Sequence, residues 1–226
     1  MPNLTHLTFP ELRLSVRDAH KLRGYFGRVF EEHSPLLHNH LEGGELRYAY
    51  PLVQYKVLDG VPTLLGINEG AELLVELFLT LRELRIDGEV YPLHHKQIEC
   101  REVPAGYSEE LHRYEFKTLW FGLNQRNHQS YLRADAAARR SELNRILRGH
   151  ILSAFKGMGV WLEPEQRIFC DLSAQQKQTN FKQQSMLAFS GVFTANALLP
   201  YAIGLGKSVS RGFGAVVPQG SEGNVH

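Results

Sequence analysis

His38 and His40 stand two positions apart in the segment Leu36-Leu37-His38-Asn39-His40. In an extended chain such residues share one face, about 7 Å apart. Imidazoles with an ordinary pKa near 6.5 exchange protons readily at neutral pH. Two of them beside a phosphodiester could take a proton from an attacking hydroxyl and return one to the departing oxygen. Tyr48 and Tyr50 follow closely, and either could supply a hydroxyl proton or hold the reacting oxygen; Tyr48 is preferred. Lys21 and Arg28 are candidates for the negative charge that develops at phosphorus. The competing reading is a pair of surface histidines, since eleven histidines in one chain make a close pair unsurprising. A zinc site from His33, His38 and His40 has no carboxylate or cysteine at ligand spacing to complete it. No metal and no cofactor is therefore expected. The adjacent His94 and His95 would point opposite ways in a strand and read as structural.

A second chemical feature is Gly204-Leu205-Gly206-Lys207-Ser208-Val209-Ser210-Arg211-Gly212-Phe213-Gly214. Glycine lets backbone approach a ligand closely, and successive free N–H groups form a concavity for anions. Lys207 and Arg211 add full positive charges, and Ser208 a hydroxyl. The expected guest is a phosphate, with Gly204, Gly206, Gly212 and Gly214 shaping the loop. A Walker A loop would need glycine where Tyr201 stands, and a dinucleotide fingerprint would need it at Val209, so neither fits. The bland alternative is a glycine-rich hairpin before a last strand.

Hydrophobic alternation predicts a strand from Leu4 to Val16, broken at Pro10, and a helix capped by Asp18 with Ala19, Leu22, Phe26, Val29 and Phe30 on one stripe. Pro35 and Gly43-Gly44 mark His33 to Glu45 as a loop. Strands are predicted from Arg47 to Leu58 and Thr63 to Ile67 around Asp59-Gly60, then a helix from Glu69 to Leu84. A fourth strand is expected near Val90 or between Gln97 and Val103. Beyond Gly106 the pattern predicts a strand from Leu111 to Leu123 and a helix from Asp135 to Phe155. Two further strands, Gln166 to Leu172 and Met186 to Leu198, flank a polar stretch, and a last one runs from Phe213 to Val217. This is an α+β chain in two halves, 1–105 and 106–218, with a polar tail 219–226 expected to be disordered.

With 226 residues and 43% hydrophobic content, the composition is that of an ordinary globular protein. Its apolar runs are too short and interrupted to cross a bilayer, and no secretory signal is visible, so a cytoplasmic location without membrane association is expected. Cys100 and Cys170 are far apart and read as reduced thiols. The net charge of +1 is low for a nucleic-acid binder. Locally, six basic residues face two acidic ones between Arg133 and Lys156; Arg139, Arg140 and Arg148 are the weaker phosphate candidates there.

Two glycine–hydrophobic–glycine triplets spaced by five residues near the C-terminus resemble the signature loop of the repeat-associated RNA-binding superfamily of CRISPR proteins. Within it, the histidine segment followed by Arg47-Tyr48-Ala49-Tyr50-Pro51 resembles the pre-crRNA-processing endoribonucleases, in their paired-histidine branch. The resemblance implies two tandem ferredoxin-like (RRM-like) domains. It also implies metal-independent cleavage of CRISPR repeat RNA by the ribose 2′-hydroxyl, leaving a 2′,3′-cyclic phosphate and a 5′-hydroxyl. His38, His40 and a nearby tyrosine would carry that chemistry, and the glycine loop would lie near bound RNA. The alternative is a guide-RNA-binding subunit that does not cut. RNA is the expected partner, with a CRISPR effector complex and a second copy of the chain kept open.

Overall fold

The computed structural model describes residues 1–29, 50–181 and 184–220. The chain divides into two compact units. The first comprises Met1–Val103, Lys156–Val160 and Val209–Gly212; the second comprises Pro104–Phe155, Trp161–Ser208 and the chain from Phe213 onward.

The first unit begins with β1 (Asn3–Thr8), α1 (Ala19–Val29), β2 (Val53–Leu58) and β3 (Val61–Ile67). It continues with α2 (Glu69–Thr80), β4 (Glu83–Ile86), β5 (Glu89–Pro92) and β6 (Gln97–Glu102). Its sheet is antiparallel in the order β2-β3-β1-β6, with Tyr55 opposite Leu64 and Leu64 opposite Leu7. That face joins Leu22 and Phe26 of α1 and Leu74 and Leu77 of α2 in one apolar core. The fourth strand is the later of the two predicted positions.

Three expectations fail here for local reasons. The first strand stops at Thr8: Pro10 has no N–H to continue a ladder, and the Leu12 N–H turns back to the Phe9 carbonyl at 3.0 Å. Ser15, rather than Asp18, caps the turn that leads into α1, and Asp18 closes the capping box from below. The second helix ends at Thr80 instead of Leu84, with Leu81 already extended at ψ 124°. Leu84 is buried all the same, but in β4, which pairs with β5 across the Asp87-Gly88 turn. Both turn residues have positive φ, 55° and 86°, the requirement of a tight two-residue hairpin.

The second unit contains β7 (Gly106–Phe116), α3 (Gln125–Arg133), α4 (Ala136–Gly157), β8 (Cys170–Phe181), β9 (Gln184–Leu198) and β10 (Val216–Pro218). Its antiparallel sheet runs β10-β7-β9-β8. Counted within each unit, both sheets read fourth, first, third, second. This is the ferredoxin-like order, present twice in tandem.

Leu143, Ile146, Leu147, Ile151 and Phe155 of α4 are buried, on the stripe that periodicity predicts. The predicted strand 111–123 instead begins at Gly106 and ends at Phe116, with a register shift between Tyr107 and His112. The polar stretch after Leu172 continues as β8 along the sheet edge, paired with β9 as far as Phe181. An edge strand with polar side chains discourages further pairing, so its polarity hid a strand. The short α3, capped by Asn124 and Asn127, was also not foreseen. No helix among the described residues is long and apolar enough to cross a membrane.

Candidate nucleic-acid interface

In the second unit the connection from β9 to β10 contains the glycine segment. Gly206 (φ +96°) lies so close to Trp120 that a Cβ there would fall 2.7 Å from the indole Nε1. Gly214 (φ +68°) is tighter: a Cβ would stand 1.9 Å from the Leu205 carbonyl oxygen. Four of the segment's backbone amides are engaged as well. Leu205 N–H donates to the Gly214 carbonyl (2.8 Å), Gly214 N–H to Leu119 (2.9 Å), Lys207 N–H to Phe121 (3.3 Å) and Gly212 N–H to Val209 (3.1 Å). These four amides are therefore bonded within the fold. The glycines allow close packing, and the segment's side chains differ in their surroundings.

Of those, Lys207 makes no ion pair among the described residues, and partial burial pushes its pKa down. Ser208 is held in the left-handed region at φ 55°. Beneath this stretch the Trp120 Nε1–H donates to His150 Nδ1 at 3.2 Å. An indole nitrogen only donates, so His150 is the neutral tautomer with its proton on Nε2. Burial first, and the Lys207 charge second, lower its pKa to about 4.

The first unit receives the other half of the segment. A 3-10 turn, Val209–Arg211, packs beside α1 and along β2, the open edge of that sheet. Gly212 permits this: a Cβ there would lie 2.5 Å from the Ala19 methyl and 3.2 Å from the Tyr55 carbonyl oxygen. Arg211 is partly buried, and desolvation followed by repulsion from Arg23 lowers its pKa. Lys207 and Arg211, four residues apart in sequence, thus belong to different units.

The remaining candidates differ in their freedom. Lys21 Nζ lies 2.6 Å from carboxylate oxygens of both Asp18 and Asp87, whose hydrogen bonds raise its pKa. Arg28 Nε donates to the Gly24 carbonyl at 3.3 Å and is exposed. The Tyr50 hydroxyl accepts from Gln54 Nε2 at 3.0 Å, and its ring leaves no room for a side chain at Gly157, where a Cβ would be 2.4 Å away. Tyr50 is thereby pinned by its neighbours. His38, His40 and Tyr48 lie outside the described residues. His95 pairs with Glu11. In α4, Arg140 binds Asp171 at 2.6 Å and Arg145 binds Glu142 at 2.7 Å, which pairs two of the six basic residues of the row seen in sequence. Among the described residues no group of three or more His, Cys, Asp or Glu could hold a metal ion.

Several side chains that matter here carried no sequence signal. Lys56 of β2 is fully buried, its Nζ has no hydrogen-bond partner among the described residues, and desolvation lowers its pKa to about 7. It occupies the face of β2 opposite Tyr55, which simple alternation assigns to solvent. Arg23 and His150 are single polar residues on helices, indistinguishable by spacing from solvated ones.

Comparison with known proteins covers both units. The family model of the Cas6b N-terminal domain matches residues 3–104, and that of the Cas6b C-terminal domain matches residues 106–219. A crystal structure of Cas6b superimposes with a TM-score of 0.90 at 32% identity, covering 96% of this chain and 99% of that one. A second, described as CRISPR RNA processing endoribonuclease Cas6b, has a TM-score of 0.75 at 30% identity, covering 96% and 100%. An uncharacterized protein of Methanocaldococcus jannaschii, MJ0978, is 30% identical over 142 residues, 63% of this chain and 96% of its own length.

Proposed function

The chain belongs to the Cas6b family, and on that premise we propose that it is an endoribonuclease that cuts CRISPR repeat RNA, pre-crRNA to crRNA. The observation that carries this reading is its match, along almost its whole length, to a structure described as a CRISPR RNA processing endoribonuclease. The proposed chemistry needs no metal and no cofactor. The ribose 2′-hydroxyl attacks the adjacent phosphorus, one of His38 and His40 removes its proton, and the other protonates the departing 5′-oxygen. The products are a 2′,3′-cyclic phosphate and a 5′-hydroxyl. Tyr48 is the assisting hydroxyl, since Gln54 and the packing at Gly157 already hold Tyr50.

Lys207, Ser208 and Arg211 are the proposed backbone contacts, with Gly204, Gly206, Gly212 and Gly214 setting the path of the loop. Arg28 is exposed and suited to a neighbouring phosphate, whereas Lys21 would first have to leave Asp18 and Asp87. A cytoplasmic setting and delivery of product to an effector complex extend the same proposal.

The test is cleavage of the repeat transcript of the chain's own CRISPR locus in excess chelator. The unaltered protein should cut once per repeat, and RNA carrying 2′-deoxyribose at the cut site should stay whole. His38→Ala and His40→Ala should each slow cutting by about 100-fold or more while RNA binding persists. Binding without cutting by the unaltered protein would instead identify a guide-RNA-binding subunit. Normal cutting of the deoxy substrate would overturn the mechanism.

A further inference from the structure

Along α1 the cations are not equivalent. Lys21 is taken up by two carboxylates. Arg23, two residues further on, makes no hydrogen bond or ion pair among the described residues, and its Nε is buried without a partner. Its position follows from helix geometry. Ala19 and Arg23 are one turn apart on the same face, and Gly212 packs against the Ala19 methyl. The 3-10 turn that ends in Arg211 therefore runs beside the stretch of α1 that bears Arg23. The two guanidinium groups, each partly buried, are near enough for Arg23 to disfavour the charge on Arg211.

Two like charges drawn partly out of water repel, and their solvation is reduced as well. An anion between them reverses that sign. The guanidinium is a planar row of donors shaped for two oxygens of one phosphate.

We propose that Arg23 and Arg211 clamp a single phosphodiester of bound RNA, one arm on α1 and the other on the 3-10 turn. The clamp deepens the function proposed above and rests on it. It adds a residue that sequence spacing passed over in favour of Lys21, and it places a phosphate contact entirely within the first unit. Lys207 would then grip a separate phosphate.

The test is equilibrium binding of the same repeat transcript, in chelator, across a series of salt concentrations. Arg23→Gln keeps most of the stem and removes the charge. It should weaken binding about 10-fold at low salt and flatten the slope of log affinity against log salt by about 0.7 to 0.9. Arg23→Lys should restore the slope but only part of the affinity, because a point charge cannot hold two oxygens. Arg23→Gln combined with Arg211→Gln should lose less than the product of the single losses, as expected of two groups on one phosphate. The melting temperature of Arg23→Gln should equal or exceed that of the unaltered protein. An unchanged salt slope in Arg23→Gln overturns the clamp alone. So does a loss of affinity that comes with a lowered melting temperature and an unchanged slope, which marks a structural arginine. Failure of the unaltered protein to bind the transcript overturns the function itself, and the clamp with it.

Discussion

The two sheets share one strand order but leave their third strands differently. In the first unit β3 passes into α2, whose Leu74 and Leu77 cover the sheet with an apolar stripe. In the second unit β9 passes into the glycine segment before reaching β10. One connection spends its residues on burial. The other packs backbone against backbone and carries Lys207 and Arg211. A ferredoxin-like sheet evidently tolerates replacement of a helical crossover, provided the replacement satisfies its own amides and fits its neighbours closely. Each unit also keeps a buried base: Lys56 in the first, with its Nζ unpartnered among the described residues, and His150 in the second, bonded by Trp120.

The strongest test of this contrast is steric. Gly214→Ala places a methyl onto the Leu205 carbonyl at a positive φ, and should cost more than about 3 kcal/mol in chemical denaturation. Normal stability in this variant would mean that the segment is a loose loop, and the comparison would break.

Next in size is the acid limb of stability. The pKa of His150 falls from 6.5 to about 4 on folding, so between those values the unfolded chain binds a proton that the folded chain refuses. Stability should therefore fall as pH drops through that window, by up to about 3 kcal/mol from this residue. Urea titrations at stepped pH should show a shallower dependence in His150→Gln. An identical dependence would remove His150 as its source.

Lys56 sharpens the contrast from the other side. Its pKa falls from 10.5 to about 7, so again the unfolded state holds the extra proton, and stability should rise as pH climbs from about 7 toward 10.5. Lys56→Met fills similar volume without an unpartnered amine and should be more stable at pH 7 by about 2 kcal/mol. A loss of stability would mean that the amine has a partner in solution.

The smallest effect is a control. Gly24 of α1 has open space at its Cβ position, so Gly24→Ala should gain about 0.5 to 1 kcal/mol in thermal melts. The same substitution in two glycines would then differ in sign, as their surroundings require.

Much of the fold was legible. The Ala19-Leu22-Phe26 part of the α1 stripe, the stripe of α4 and the Asp59-Gly60 hairpin follow from periodicity and turn chemistry, and they are where the structure puts them; Phe30 lies outside the described residues. The failures share one cause: a pattern compatible with two geometries. Leu77, Leu81 and Leu84 suit a continuing helix, yet Leu84 is equally buried one element later, in β4. The residues after Leu172 look like a loop because an edge strand exposes polar side chains. In the glycine segment, spacing marked a special stretch but could not tell which amides the fold already bonds, as it does those of Leu205, Lys207, Gly212 and Gly214.

Residue order alone was enough for the α+β pattern, for the two-part division and, through the His38-Asn39-His40 and glycine spacings, for the ribonuclease family. Which cations are available was decided only in three dimensions. Lys21 is neutralised in part by Asp87, 66 residues away, whereas Arg23 has no such partner among the described residues and its charge is felt by Arg211, far along the chain. Charge acts through space and is cancelled by whatever folding brings near, so its local strength cannot be read along the backbone.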